Sequence, residues 1–165
     1  MPQIKPYNRT AAITYANTWA LSRNPKYLDF TNFGGDCTNF ISQCLYAGSN
    51  IMNYQKTFGW YYISSSNRTP SWTGVTYLYN FLTKNTTKGP FASEIPLSQL
   101  VVGDIIQLKN FEGVYYHTLI VVEIRGETTP EFILINAHDF NALRRPLITY
   151  NYADLRCLHI EGVYT

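Results

Sequence analysis

Gly34-Gly35-Asp36-Cys37-Thr38-Asn39-Phe40-Ile41-Ser42-Gln43-Cys44-Leu45-Tyr46-Ala47-Gly48 reads as a glycine turn running into a short helix, with a thiol at the junction. The two glycines permit a sharp turn, Asp36 is a favoured N-cap type, and Phe40, Ile41, Cys44 and Leu45 recur at the spacing of one helical face. Gly48 falls where a helix C-terminus is expected. A cysteine in a first helical turn meets the positive end of the helix dipole and unpartnered amides, both of which favour thiolate. Cys37 is therefore the candidate nucleophile. Cys44, about two turns further on, reads as a small buried hydrophobe, the commonest fate of a free cysteine. The separation, on the order of 10 Å along a helix, is too long for a disulfide between the two; a Cys44–Cys157 pair stays open.

The rest of the composition narrows the function classes. With 45% hydrophobic and 15% charged residues in 165, the chain reads as one folded domain, 1–165, long enough for a real core. Lys and Arg are scattered apart from Arg144-Arg145, so nucleic-acid binding is not indicated. No apolar run is long enough for a membrane span. Met-Pro-Gln-Ile-Lys-Pro has no signal-like apolar core, so the location is cytoplasmic unless a leader has been removed, and extracellular or wall-associated if one has.

The chain divides into a helical half, about 7–84, and a strand half, about 100–165. Ala11, Ala12, Tyr15, Trp19 and Ala20 mark a first helix from Tyr7 to about Leu21. Ser71 is placed to cap a third, with Trp72, Val75, Leu78, Tyr79 and Leu82 inward. The aromatics Trp60, Tyr61, Tyr62 and Trp72 are candidates for lining a substrate groove, against the plainer alternative that they are core. Lys84 to Pro96 reads as a connecting loop. Asp104–Leu108, Val114–Val122, Phe132–Asn136 and Cys157–Val163 are strand-like, the middle two forming a hairpin.

A nucleophilic cysteine needs a base, and the base needs a group that fixes its ring. His117 opens the apolar run Leu119-Ile120-Val121-Val122, an odd polar choice for a core strand, and is the candidate base. Asn136 and His138, two apart on the next strand, share a side, and either is placed to orient His117. Asp139 is expected to point away by alternation. Asp36 is expected to cap the helix or order the loop, since a carboxylate beside a thiolate raises the thiol pKa. A metal centre from Cys37, His117, His138 and Asp139, or from Cys157 and His159, lacks the paired spacing of zinc sites. No metal and no cofactor is expected.

Tyr7-Asn8-Arg9, Gly34-Gly35-Asp36-Cys37-Thr38-Asn39-Phe40, Ser42-Gln43-Cys44-Leu45, Trp60-Tyr61-Tyr62, Ser71-Trp72, Gly103-Asp104-Ile105-Ile106 and His117-Thr118-Leu119-Ile120-Val121 together resemble the bacterial putative amidase domain family over nearly the whole chain. More distantly the chain looks like NlpC-type and CHAP-type cell-wall cysteine hydrolases. The resemblance implies an α+β, papain-like (NlpC-type) fold with N-terminal helices packed on a small antiparallel β-sheet. It also implies a cysteine amidase or peptidase that cuts amide bonds, of peptidoglycan type, through a thioester. Cys37 would attack, His117 would move the proton, and Asn136, or His138, would be the third member. The Cys37 amide would help hold the oxyanion, with Asp36, Tyr27 and Asn32 as further oxyanion or orienting candidates. The alternatives are a catalytically silent wall-binding module and an acyltransferase using the same Cys-His dyad. A monomer with a peptide or peptidoglycan-type partner is expected.

Overall fold

The computed structural model describes residues 1–165. It is an α+β structure whose sheet pairings are all antiparallel. In chain order the elements are β1 (Ile4–Lys5), α1 (Arg9–Trp19), α2 (Cys37–Ser49), β2 (Tyr62–Ser64), β3 (Asn67–Arg68), α3 (Pro70–Thr73) and α4 (Val75–Lys84). They continue with β4 (Gly89–Ile95), β5 (Ile105–Lys109), β6 (Tyr115–Ile124), β7 (Ile133–Ala137), β8 (Ala142–Pro146) and β9 (Asp154–Tyr164). The main sheet runs β1-β9-β5-β6-β7-β8, with β4 on the other side of β9. β6 and β7 form the expected hairpin.

Helices cover one face of this sheet. Phe40, Ile41, Cys44 and Leu45 of α2 pack with Trp60, Trp72, Leu78 and Leu82 against Ile105, Ile120 and Leu158. On the opposite face Ile106, Leu108, Leu119, Val121 and Ile135 are closed over by Leu100 and Leu147, next to short 3-10 turns. Alternation along β6 therefore sends Thr118 and Ile120 toward the helices, and Leu119 and Val121 away from them.

α2 is buried around nearly its whole circumference, not only on its apolar face. Its polar residues are affordable inside because each has a partner. Thr38 Oγ1 meets Thr118 Oγ1 at 2.9 Å, Trp72 Nε1 donates to Asn39 Oδ1 at 3.0 Å, Trp60 Nε1 donates to Ser42 Oγ at 3.0 Å, and Tyr15 Oη donates to Gln43 Oε1 at 2.6 Å.

Several expectations are corrected. Gly48 does not end α2; Asn50 does, in a left-handed conformation (φ 56°), while Gly48 lets the start of α1 approach, its amide oxygen accepting from Asn8 N at 2.9 Å. Ser71 caps nothing: Gly74 breaks the predicted third helix into α3 and α4, and Ser71 Oγ donates to the Gly59 carbonyl. Residues 89–95 of the predicted loop form β4, because β9 is long enough to offer an edge to it. Trp60 and Trp72 are fully buried and Tyr61 is buried, so they are core rather than groove. Cys44 and Cys157 do not pair; all three thiols are free and buried. No helix is long and apolar enough to cross a membrane.

Candidate active site

The site is built where the start of α2 meets the first half of β6. Gly34 and Gly35 take positive φ (95° and 106°) and turn the chain into the helix. Asp36 does not cap α2 with its side chain. It turns inward, wholly buried, and accepts from Phe30 N at 2.8 Å and from Asn39 Nδ2 at 2.9 Å, with Arg23 Nε at 3.4 Å and His138 Nδ1 within hydrogen-bond reach. This orders the loop before the helix.

The capping role falls to a residue distant in sequence. Asp139 accepts from Asp36 N at 2.8 and 2.9 Å and from Cys37 N at 3.1 Å. Alternation along β7 predicted that Asp139 would point away, but the strand ends at Ala137 and the chain leaves it through Asp139 and Phe140 at φ 58° and 66°. Strand periodicity has no authority over a residue in that conformation. An aspartate after a strand end, a type that tolerates positive φ, was the available signal for this turn.

Cys37 is 5% exposed and His117 6% exposed. The thiol rests beside Thr38 Oγ1 at 3.7 Å and against the backbone N–H of Thr118, the residue after His117. Burial pushes the thiol up to about 11, with the Asp139 charge adding to the rise and the Thr118 and Thr38 hydrogen bonds opposing it. The thiolate favoured by the helix end is thus overridden by desolvation, and the anion that caps the helix offsets its dipole. Burial likewise lowers His117 to about 4, against the raising effect of Asp139 and with that of Arg145. One carboxylate therefore acts on both Cys37 and His117.

The two candidates for the third member do not reach His117. Asn136 Nδ2 donates to Asn17 Oδ1 at 2.9 Å, and its Oδ1 accepts from Arg144 N at 2.8 Å. His138 stacks on Phe40 at 3.9 Å between ring centroids, pairs with Asp36 through Nδ1, and has Nε2 at 2.8 Å from the Trp19 carbonyl. Both ring nitrogens face oxygen acceptors. The two residues do share a side, as expected, but it is the side of α1. Asn136 is registered opposite Ile120, on the helix-covered face, whereas His117 stands an odd number of positions from Ile120 and so faces the other way.

The aromatic neighbours of the His117 ring are Tyr116 and Tyr150, the latter at 5.8 Å between centroids. Tyr150 carries a buried hydroxyl without a hydrogen-bond partner, and the Arg145 guanidinium lies 3.7 Å over its ring. Neither residue stood out in the sequence. Tyr27 stacks with Trp72 and packs on Tyr62, and Asn32 is exposed in the turn before Gly34. No group of three or more His, Cys, Asp or Glu side chains is arranged to hold a metal ion.

The chain is thus an α+β structure with a cysteine at a buried helix start, packed on an antiparallel sheet whose strand β6 carries a histidine. Residues 6–160 match the putative amidase domain family, and the chain belongs to it. It is 35% identical over 144 residues to the uncharacterized protein YhbB of Bacillus subtilis (strain 168), an alignment covering 84% of this chain and 43% of that protein. The chain thus spans less than half the length of that relative. No solved structure matches.

Proposed function

We propose that this chain is a cysteine-dependent amidase or peptidase with a papain-like arrangement of helix and sheet, acting on peptide amide bonds of the bacterial cell wall. The observation that carries the reading is the seating of the Cys37 thiol at the start of α2, against the β6 backbone beside His117, with the Asp139 carboxylate bearing on both. Family membership supplies amide hydrolysis as the reaction class.

The resting pair is a neutral thiol and a neutral imidazole, so proton transfer accompanies attack rather than preceding it. The Cys37 sulfur bonds to the amide carbonyl carbon while its proton passes to His117. The His117 ring, set on the other face of β6 with no hydrogen bond to the thiol in the resting protein, turns toward the sulfur for the transfer. Collapse of the tetrahedral species expels the amine, which takes that proton, and leaves a thioester. Water then attacks the thioester with His117 as base, releasing the acid and restoring the thiol. A silent binding module has no support from the aromatics proposed for it, since Trp60, Tyr61 and Trp72 lie in the core.

Digestion of purified peptidoglycan, followed by product masses, tests the reading. Cys37→Ala should release no fragments, a loss of at least about a thousandfold, while its circular dichroism and melting match the wild type. Fragment release by a folded Cys37→Ala variant at the wild-type rate would sink the proposal. Adding a free amine separates hydrolysis from acyl transfer, because transfer adds the mass of the amine to the product.

A further inference from the structure

The carboxylate of Asp139 lies on the backbone amides at the start of α2. Its oxygens take the amide hydrogens of Asp36 at 2.8 and 2.9 Å and of Cys37 at 3.1 Å. The Cys37 N–H belongs to the residue that bears the attacking sulfur, and such backbone donors are what stabilise the oxyanion of acyl transfer. A carboxylate and a developing oxyanion cannot share them, because like charges at contact distance repel.

The surroundings admit the carboxylate closely, and its turn is tied on either side, His138 to the Trp19 carbonyl at 2.8 Å and Asn141 Oδ1 to Arg23 Nη2 at 3.0 Å. A Cβ on Gly35 would stand 2.7 Å from Asp139 Oδ2, and Gly35 takes φ +106°, so any other residue there would both strain the turn and crowd the carboxylate. Asp139 and Phe140 occupy a positive-φ region that costs a non-glycine residue conformational energy, most of all a bulky one such as Phe140. The Phe140 side chain is 92% exposed, so no packing of its ring pins the turn in place. The contacts of Asp139 with α2 are those that a substrate oxyanion would replace.

We propose that Asp139 is a built-in occupant of the oxyanion position: it closes the Cys37 site in the resting protein and swings out when an amide carbonyl enters. The proposal rests on the reading of Cys37 as nucleophile and adds a condition to it, that the resting site is blocked by its own chain. Two consequences follow from the charge. A small neutral electrophile reaches Cys37 with less hindrance than an anionic one, and neutralising residue 139 removes the difference.

Alkylation of Cys37 by iodoacetamide and by iodoacetate, followed site by site by peptide mass mapping, reads this directly. In both reactions a sulfur–carbon bond forms, iodide leaves and the thiol proton is lost, so only reagent charge differs. The iodoacetate-to-iodoacetamide rate ratio at Cys37 should lie about tenfold below that of N-acetylcysteine in the same buffer, and should rise about fivefold or more in Asp139→Asn. A variant ratio within about twofold of the wild type would overturn the proposal. If Asp139→Asn does not fold, the wild-type protein decides: a ratio equal to that of the free thiol overturns the proposal equally. Alkylation requires no hydrolysis, so failure of the peptidoglycan digestion leaves this outcome readable.

Discussion

Burial acts on Cys37 and His117 with opposite sign and the same result: each is held neutral, the thiol by a rise to about 11 and the imidazole by a fall to about 4. For His117 this carries a stability consequence whose sign is fixed by linkage. The unfolded chain takes up a proton near 6.5 and the folded one near 4, so the unfolded state binds more protons between those values. Folding stability should therefore fall as pH drops from about 6.5 to 4 and gain no further loss from this group below that. The shift corresponds to about 3 kcal/mol. Urea unfolding of wild type and His117→Gln at pH 7 and pH 4 checks it, because other titrating groups are common to both. The wild type should lose about 3 kcal/mol more than the variant over this interval.

Among the elements, α2 shows why a helix can carry chemistry and packing at once. Its first residue carries the thiol, its apolar residues fill the core, and Thr38, Asn39, Ser42 and Gln43 are each tied to a neighbouring element or the segment beside it. The contact with α1 is set by Gly48. A Cβ there would come within 2.3 Å of the Tyr7 ring and 2.9 Å of the Asn8 carbonyl oxygen, and the backbone of Asn8 cannot yield as a side-chain tip can. Alanine is the better helix former by about 1 kcal/mol, yet crowding should win, and Gly48→Ala should lose about 1–3 kcal/mol net, read as a lower urea midpoint.

At the scale of the whole molecule, the first helix is clamped to the strands that close the sheet by a single buried carboxylate. Asp104, fully buried, accepts from Arg9 Nη1 at 2.8 Å, from Ile160 N at 3.1 Å and from Val101 N at 3.0 Å, and pairs with His159 Nδ1 at 2.9 Å. Arg9 also donates to the carbonyls of Val102 and Ile160. Asp104→Ala would strand a guanidinium and two amides, and should cost about 3–5 kcal/mol in urea unfolding without changing any residue of the Cys37 site. The Gly103-Asp104 and Arg9 positions of the family resemblance are thereby accounted for as structure rather than chemistry.

What the sequence by itself determined is local. The glycine turn, the helix that starts at Cys37, the apolar face through Leu45 and the β6–β7 hairpin all follow from spacing and residue type, because each depends on interactions within a few residues. The pairing of β4 with β9, the burial of Trp60, Tyr61 and Trp72, and the partners of Asn136 and His138 did not, since they depend on which distant segments the sheet brings together. Register decided the last: an odd offset between His117 and the position opposite Asn136 puts their side chains on opposite faces. Only the tertiary structure could put Asp139 at the start of α2. A turn in positive φ escapes the period-two rule that sequence reading must apply, and burial, with a charge delivered there from a hundred residues away adding to it, reverses what the helix end alone would do to the thiol.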